Sequence, residues 1–297
     1  MGRSASAQGG VVLVIVLWVL ALLVLIAGGY SVTTRTETVL TARMVSTAQA
    51  RALAEAGTWL AVRDLARPDG PGRWRTDGEA RTLNFDNGTA VVLLQDESGK
   101  IDLNAADVGL LYSLLLSDMD DGNAALSMLQ AILDWRDADA SKRKVGAEEE
   151  DYAAAALAYG PRNGPFTAVD ELRLVLGMND DLYNRLAPAL TVYSGDSGLN
   201  PEVAVREALL AVPDMTPLLV DEYLADRTAT TREFNQRFLS SARRRVVTIL
   251  SQGEVGSSRV RLEVVVRINR NKKGPYSLLS WRESGAVQDP RTQTGGA

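Results

Sequence analysis

Residues 9–27 read GGVVLVIVLWVLALLVLIA, a diglycine followed by an apolar run without charge or proline. As a helix, the run from Val11 to Ala27 spans about 25 Å, near the lower limit for crossing a bilayer. The preceding leader, MGRSASAQGG, carries one charged side chain, Arg3. A positive charge on a short leader keeps that end in the cytoplasm, so we expect the bulk of the chain to face the periplasm or the cell exterior.

Three kinds of N-terminal segment are compatible with this pattern. A secretory signal peptide would be cut after the apolar run, near Ala27 and Gly28, and a simple anchor would keep its leader. The Gly9-Gly10 pair before the run instead resembles a prepilin leader, a short basic peptide that ends in glycine ahead of a long apolar helix. We favour the prepilin interpretation, because the following residues continue as a helix pattern without proline. Cleavage is then predicted between Gly10 and Val11.

The segment after the apolar run continues as a helix. Apolar residues recur at spacings of three and four up to Trp59, which predicts an amphipathic helix from Val11 to Ala66, about 84 Å long. The cluster Pro68-Asp69-Gly70-Pro71-Gly72 ends it. The simpler interpretation is a membrane anchor with a helical stalk. The more specific interpretation is the long helix of a pilin-like subunit, with its outer half packed on a sheet. The residues expected to contact partner helices are Ile15, Trp18, Val45, Ala48 and Ala52.

After the long helix, the sequence pattern changes twice, from strand to helix and back to strand. Residues 89–95 (TAVVLLQ) predict a strand, a helical block follows, and strands return at 244–250, 259–268 and 276–281. A lone strand at 89–95 is not stable, so we expect it to join the later strands and the helical block to be an insertion. The expected fold class is α+β, a pilin-like fold with a long N-terminal transmembrane helix packed on an antiparallel sheet and a large inserted α-helical domain.

The expected domain layout follows from these changes in pattern. It consists of a leader (1–10), a transmembrane and stalk helix (11–67), a first part of the sheet domain (68–102), an inserted helical domain (103–241), C-terminal strands of the sheet domain (242–283) and a disordered tail (284–297). Within the insertion, residues 199–227 resemble a helix-hairpin-helix or SAM-like unit. Their turn, PDMTP at 213–217, carries an acid and no glycine, which disfavours binding to nucleic-acid phosphates.

Composition excludes several function classes. The 297 residues include no cysteine and no histidine, which removes disulfides, thiolate metal sites, cysteine nucleophiles and histidine triads. The formal net charge of −5 does not suggest a nucleic-acid partner. No GxSxG, SxxK, Walker A or HExxH pattern occurs, so we expect no enzymatic activity.

One segment is dense in carboxylates. Between Asp134 and Asp151, acidic side chains alternate with Ser141 and a Lys-Arg-Lys run at 142–144. Asp137, Asp139 and Glu148 fall at the first, third and twelfth positions of an EF-hand loop, but Lys142 replaces the glycine of the sixth. The segment is therefore not an EF-hand, and both a hard-cation site and a solvated acidic loop remain open from the residues alone.

A set of motifs in one order resembles a known family. Gly10 with the apolar run, DESGKIDLNAAD, ILDWRDAD, VGAEEEDYAA, PFTAVDELRLVLGM and LNPEVAVREALL together resemble the type II secretion system minor pseudopilin K family. The resemblance extends from about Gly10 to Trp281.

The resemblance implies a function and partners. A family member is cut by a prepilin peptidase, is methylated at the new N-terminus, and sits in the inner membrane with its bulk in the periplasm. It assembles with the I and J minor pseudopilins at the tip of the pseudopilus, above the major pseudopilin, with help from an inner-membrane assembly platform. Calcium is associated with the acidic insertion, and its ligands would be Asp137, Asp139, Glu148 and Asp151.

The fifth residue after the predicted cut separates this chain from most pilin-like subunits. They carry a glutamate there, which can neutralise the N-terminal amine of a neighbouring subunit in lipid, where isolated charges are costly. This chain has Ile15. A subunit without that carboxylate fits a first or capping position in a filament. The alternative function is an anchored periplasmic ligand-binding or sensor protein.

Overall fold

A computed structural model describes residues 9–68, 70, 72–119, 121–227, 238–240, 245–269 and 274–284. The leader residues 1–8 and the expected tail from 285 onward lie outside the described residues. The helix predicted over 11–66 is confirmed, and its observed bounds are Gly9–Leu65 (α1). By its length and hydropathy, no helix in the described part of the chain qualifies as a membrane span.

In the described part of the chain, five strands form an antiparallel sheet in the order β1-β2-β5-β6-β7. Its strands are β1 (Asp77–Phe85), β2 (Gly88–Asp96), β5 (Arg245–Val255), β6 (Ser258–Ile268) and β7 (Tyr276–Ser284). Strand β2 pairs with β5, with Leu94 opposite Ile249, although 148 residues separate the two strands in sequence (97–244). The expectation that the first predicted strand joins the C-terminal strands is therefore confirmed.

The first strand of the sheet was not predicted. Strand β1 is an edge strand whose side chains are mostly exposed or half-buried, so it lacks the apolar alternation that marks the other strands. The Asn87-Gly88 pair that follows Phe85 is a hairpin signal, and it could have identified β1 as the partner of β2.

The second half of α1 packs across the sheet at close range. A Cβ atom on Gly253 would lie 1.9 Å from the carbonyl oxygen of Ala50, and one on Gly57 would lie 2.6 Å from the Ser251 hydroxyl. The Ser251 hydroxyl donates a hydrogen bond to the Ala54 carbonyl oxygen at 2.8 Å. The core between helix and sheet is apolar, and it consists of Ala54, Ala61, Val62, Leu65, Ala90, Val92, Leu94, Val247, Ile249, Leu262, Val264 and Val266.

The chain between β2 and β5 forms a second, helical core. Its α-helices are short: α2 (Val108–Asp118), α3 (Gly122–Arg136), α4 (Glu149–Ala154), α5 (Asp180–Leu186), α6 (Arg206–Leu210) and α7 (Pro217–Ala225). They are accompanied by 3-10 turns at Glu97–Gly99, Val169–Leu174, Ala187–Ala189 and Pro201–Val203. Strands β3 (Ile101–Asp102) and β4 (Leu190–Thr191) pair in parallel.

Buried polar contacts join the two cores. The Glu97 carboxylate is buried and accepts hydrogen bonds from Lys100 Nζ at 2.9 Å and from the Thr248 hydroxyl of β5 at 2.7 Å. The Thr191 hydroxyl of β4 donates a hydrogen bond to the other carboxylate oxygen of Glu97. At the far edge of the sheet, Arg282 of β7 contacts Asp170 of the helical core at 2.8 Å.

Candidate functional site

The outer face of α1 is the first candidate site, because it is apolar and faces solvent. Ile15 and Trp18 are exposed by 57% and 75%, and the apolar side chains around them are similarly exposed. Farther along, Val45, Ala48 and Ala52 are also exposed. The face that packs on the sheet consists instead of residues such as Leu53, Gly57 and Ala61.

The amphipathic stripe read from the sequence is therefore not the face that packs on the sheet. Stripe residues Val45, Ala48 and Ala52 stay available to other helices, and Gly10 and Val11 lie in the first turn of α1. The stripe continues to Trp59, which is 46% exposed and lies 5.9 Å from Trp281 of β7, ring centroid to ring centroid.

The acidic loop between α3 and α4 is the second candidate site. Asp134, on the last turn of α3, has no exposed surface, and its Oδ2 accepts hydrogen bonds from the Ala147 N–H at 2.9 Å and the Arg143 N–H at 3.3 Å. A Cβ atom on Gly146 would lie 2.0 Å from this oxygen, so the loop approaches Asp134 through a glycine. The carboxylate therefore folds the loop back onto α3.

A guanidinium lies among the carboxylates of this loop. Arg143 Nη1 donates to Asp134 Oδ1 at 2.5 Å and also to Asp137 Oδ2. The hydrogen bonds that Arg143 donates to Asp137 and to Asp134 raise the pKa of Arg143, which keeps it charged. One cation thus bridges two carboxylates.

Two carboxylate oxygens of the loop are buried without a hydrogen-bond donor. They are Asp137 Oδ1 and Glu148 Oε1. Burial raises the pKa of Glu148, and the charges of Asp134, Asp137 and Asp139 raise it further. Buried acceptors without donors cost free energy, so these two oxygens are the unsatisfied acceptors of the loop.

The other two predicted ligands have different partners. Asp139 is exposed, and its Oδ1 accepts a hydrogen bond from the Ser141 N–H at 2.8 Å. Asp151 pairs with Lys142 Nζ at 2.5 Å and accepts the Glu148 N–H at 2.9 Å in a capping box at the start of α4. Sequence reasoning did not select Asp134 as a site residue, although it precedes Asp137 by one helical turn.

Within the described residues, no three acidic side chains converge closely enough to hold a metal ion with the loop arranged in this way. The unpartnered oxygens of Asp137 and Glu148 nevertheless have the chemistry of hard-cation ligands. Arg143 holds the position next to these two side chains, through its contact with Asp137.

Known proteins are similar to this chain over the same strands, helices and acidic loop. Residues 90–195, from β2 through the acidic loop to β4, match the family described as type II secretion system (T2SS), protein K. The chain is 28% identical to type II secretion system protein K of Klebsiella pneumoniae, over 78% of this chain and 79% of that protein. It is 26% identical to the protein of the same name from Pseudomonas aeruginosa, over 97% of this chain and 96% of that protein.

The chain is similar to type II secretion system protein K over most of its length. Its fold is similar to that of a chain in the crystal structure of the GspK-GspI-GspJ complex from the type 2 secretion system of enterotoxigenic Escherichia coli. The TM-score is 0.58 at 21% identity, covering 85% of this chain and 99% of that chain. The protein K assignment and the mixed helix and sheet architecture agree with the resemblance read from the sequence.

Residues 199–227, whose sequence resembles a helix-hairpin-helix or SAM-like unit, contain α6 and α7 in the structure. Helices α6 and α7 are joined by a turn in which Asp214 has φ of +69° and Thr216 caps α7. Arg227 donates to the carbonyl oxygens of Pro201 and Ala204 at 2.8 and 2.7 Å, which closes the hairpin on itself. Because the Arg227 guanidinium binds these carbonyl oxygens, it does not face outward to bind a phosphate.

Proposed function

We propose that this chain caps the tip of a pseudopilus in complex with other minor pseudopilins. As a minor pseudopilin of the type II secretion system, it supports export of folded proteins across the outer membrane. The main observation behind this proposal is the family match over β2, the acidic loop and β4. It is supported by relatives that match most of the chain. The alternative, an anchored ligand-binding or sensor protein, is not favoured by these relatives.

The proposed partners are the I and J minor pseudopilins, because a chain of similar fold forms a complex described as GspK-GspI-GspJ. The major pseudopilin and the inner-membrane assembly platform are the further proposed partners. A tagged full chain, purified from its own cells in detergent, should retain two smaller prepilin-like proteins. Purification of the chain alone would contradict the complex.

We also propose processing and anchoring at the N-terminus. The prepilin peptidase cuts between Gly10 and Val11, and the apolar part of α1 holds the chain in the inner membrane with its bulk in the periplasm. The test is the intact mass of the native chain, which should lack residues 1–10 and carry one additional methyl group. Gly10→Asp should block both the cut and secretion, while Gly2→Asp, farther from the junction, serves as the control.

The exposed stripe on α1 supports a mode of assembly. Val45, Ala48 and Ala52 present an apolar surface with two small side chains, which lets a second helix approach closely. We expect Ala48→Trp to reduce recovery of the partner pseudopilins strongly. Ala66→Trp, an exposed change just beyond α1, should leave that recovery unchanged. Equal recovery with both variants would exclude the stripe as a contact surface.

Calcium in the acidic loop is a further proposal. Asp137 and Glu148 would hold the ion through their unpartnered oxygens, and Asp139, exposed nearby, could complete the set. A bound ion would supply positive charge that neutralises the buried carboxylates, and it would thereby stabilise the loop. If chelator does not lower the melting temperature of the full chain in detergent, this part of the proposal fails.

The remaining assignments support the same function. The division into leader, stalk, sheet domain and inserted helical domain, and the SAM-like character of residues 199–227, are proposed on the sequence pattern. We propose no catalytic role, because the family is a structural part of a secretion machine. These assignments do not change the experiments proposed above.

A further inference from the structure

A row of apolar side chains on β7 lies beside α1 and is open to solvent. The β7 row consists of Tyr276, Leu278 and Trp281, which are 36%, 50% and 38% exposed. Leu278 and Trp281 lie opposite Val266 and Val264 of β6, two residues of the core under α1. Residues that lie opposite each other on neighbouring strands share a face of the sheet. The β7 row therefore extends, beyond α1, the face on which α1 packs.

Helix α1 borders this row with an aromatic ring. Trp59 lies 5.9 Å from Trp281 and 6.1 Å from Tyr276, ring centroid to ring centroid. Trp59 is also the last residue of the exposed stripe on α1, which begins about 21 Å away along the helix, at Val45. The α1 stripe and the β7 row are thus two adjoining walls of one apolar groove.

The two flanks of α1 differ in charge. On the β1 side, the Arg81 guanidinium covers the Trp74 ring at 4.9 Å from its centroid. On the β7 side, the ion pair between Arg51 and Glu283, at 2.7 Å, lies at one end of the row and leaves Leu278 exposed. An exposed apolar patch with a charged margin is typical of a surface that binds another protein.

The spacing of helix and sheet favours one kind of occupant. Helix α1 packs mainly on β5, and β7 lies two strands farther along the sheet. Because neighbouring strands are about 4.8 Å apart, β7 is displaced from α1 by about 10 Å. Packed helices lie about 8–10 Å apart, so a second helix packed on the α1 stripe would lie over the β7 row. A strand added to β7 would instead lie farther out, away from α1.

The remainder of this chain does not favour such a helix. Residues 285–297 contain Pro290, three glycines and one large aliphatic side chain, Val287. Proline and glycine are the residues least favourable to a helix, and one aliphatic residue does not make an apolar stripe. The occupant of the groove is therefore expected to come from another chain.

We propose that an α-helix of a neighbouring pseudopilin docks in the groove between the α1 stripe and the β7 row. This inference rests on the proposed tip complex, and it adds a second contact surface beside the stripe. The walls specify the chemistry of the helix. It carries large aliphatic side chains opposite Ala48 and Ala52, and small side chains next to the rings of Trp59 and Trp281.

A photo-crosslinker at position 278 identifies the occupant directly. The benzophenone amino acid p-benzoylphenylalanine replaces Leu278 in the full chain, the cells are irradiated, and mass spectrometry identifies the joined peptide. We expect a partner pseudopilin, joined through a helical segment with an apolar stripe. The same replacement at Leu218, which is 77% exposed on α7, is the matched control and should not join that segment. Joining to residues 285–297, to a strand, or to no pseudopilin would overturn the inference.

A charge in the groove gives a second readout. Leu278→Lys should lower recovery of the partner pseudopilins with the full chain about 5-fold, because docking would bury an unpaired ammonium group. Leu218→Lys should leave recovery unchanged. Both leucines are at least half exposed, so both variants should keep the far-ultraviolet circular dichroism of the unchanged chain.

The outcomes separate the groove from the tip complex. If the unchanged chain retains its partners and Leu278→Lys retains them equally, the groove is wrong and the tip complex stands. If the unchanged chain retains no partner, the tip complex is wrong and the groove fails with it. Loss of partners in Leu278→Lys but not in Leu218→Lys, together with the helical crosslink from position 278, supports both.

Discussion

The sheet domain and the inserted helical domain are stabilised in different ways. In the sheet domain, one long helix and long strands bury an apolar layer, and small residues such as Gly57 and Gly253 allow close approach. In the helical domain, helices of five to fifteen residues are joined by loops that buried carboxylates hold in place. Long regular elements specify their own packing, whereas short ones need side chains that bind the backbone of the connecting loops.

The largest expected effect comes from filling the contact between α1 and the sheet. Valine suits a strand, so Gly253→Val should be harmless unless the approach of the helix matters. Its side chain would overlap the backbone of Ala50, and we expect a loss of about 3 kcal/mol or more in the free energy of unfolding. Urea denaturation of the full chain in detergent measures it. Gly274→Val, with no atom within 4 Å of the added Cβ, should lose little.

The next effect tests the buried carboxylates of the helical domain. Asp102 is 1% exposed; its Oδ1 accepts the N–H groups of Asn104 and Ala105, and its Oδ2 accepts that of Gly195. Asp102→Ala leaves these donors without partners and should cost about 3 kcal/mol. Asp121→Ala removes an exposed helix cap and should cost about 1 kcal/mol. Equal losses in the two variants would contradict the importance of burial.

A smaller effect concerns Glu148 and pH. Burial and neighbouring carboxylates raise its pKa in the folded chain, so its ionised form opposes folding. The cost is absent below the unfolded pKa, about 4.3, and appears as pH rises through the folded value. In chelator at pH 7, Glu148→Gln should therefore be more stable than the unchanged chain by up to about 1 kcal/mol.

Thermal unfolding between pH 4 and 7 measures this difference for Glu148→Gln. The exposed neighbour gives the control, Glu149→Gln, which should follow the unchanged chain at every pH. A stability difference that does not vary with pH would show that ionisation of Glu148 is not its cause.

The smallest effect is expected where the two domains touch at the sheet edge. Hydrogen bonds from Tyr183 and Arg282 lower the pKa of Asp170, so their contribution is lost as pH falls through the folded pKa of this carboxyl, below its usual range. Both partners of the Arg282–Asp170 pair are about half exposed. Arg282→Gln should therefore cost only about 0.5 kcal/mol at neutral pH. A double-mutant cycle with Asp170→Asn isolates the pair from the contact of Arg282 with Glu263.

The difference between the domains also explains what the sequence could predict. Helix α1 and strands β2, β5, β6 and β7 have strong apolar patterns, and their positions were predicted to within a few residues except at the ends of β5 and β7. Strand β1 lies at an edge and carries mostly polar residues, so no pattern marked it. Alanines lie on both sides of α1, so the sequence did not show which side packs on the sheet.

The candidate site was predictable only in part, for a related reason. The density of carboxylates between Asp134 and Asp151 was evident in the sequence, but which of them turn inward depends on the path of the loop. That path is fixed by Gly146 and by the hydrogen bonds to Asp134. Spacing along the chain does not report such contacts, so Asp134 was missed and Asp151, which caps α4, was chosen.

The seam of alanines and glycines under α1 has a mechanical consequence. Because backbone rests almost directly on backbone between Ala50 and Gly253, few flexible side chains lie between rod and head to absorb a load. A force applied along α1 from its N-terminal end would reach the strands, and through the hydrogen bonds of Glu97 the inserted helices, with little deformation. The close contact of the two backbones therefore couples the movement of α1 to that of the sheet.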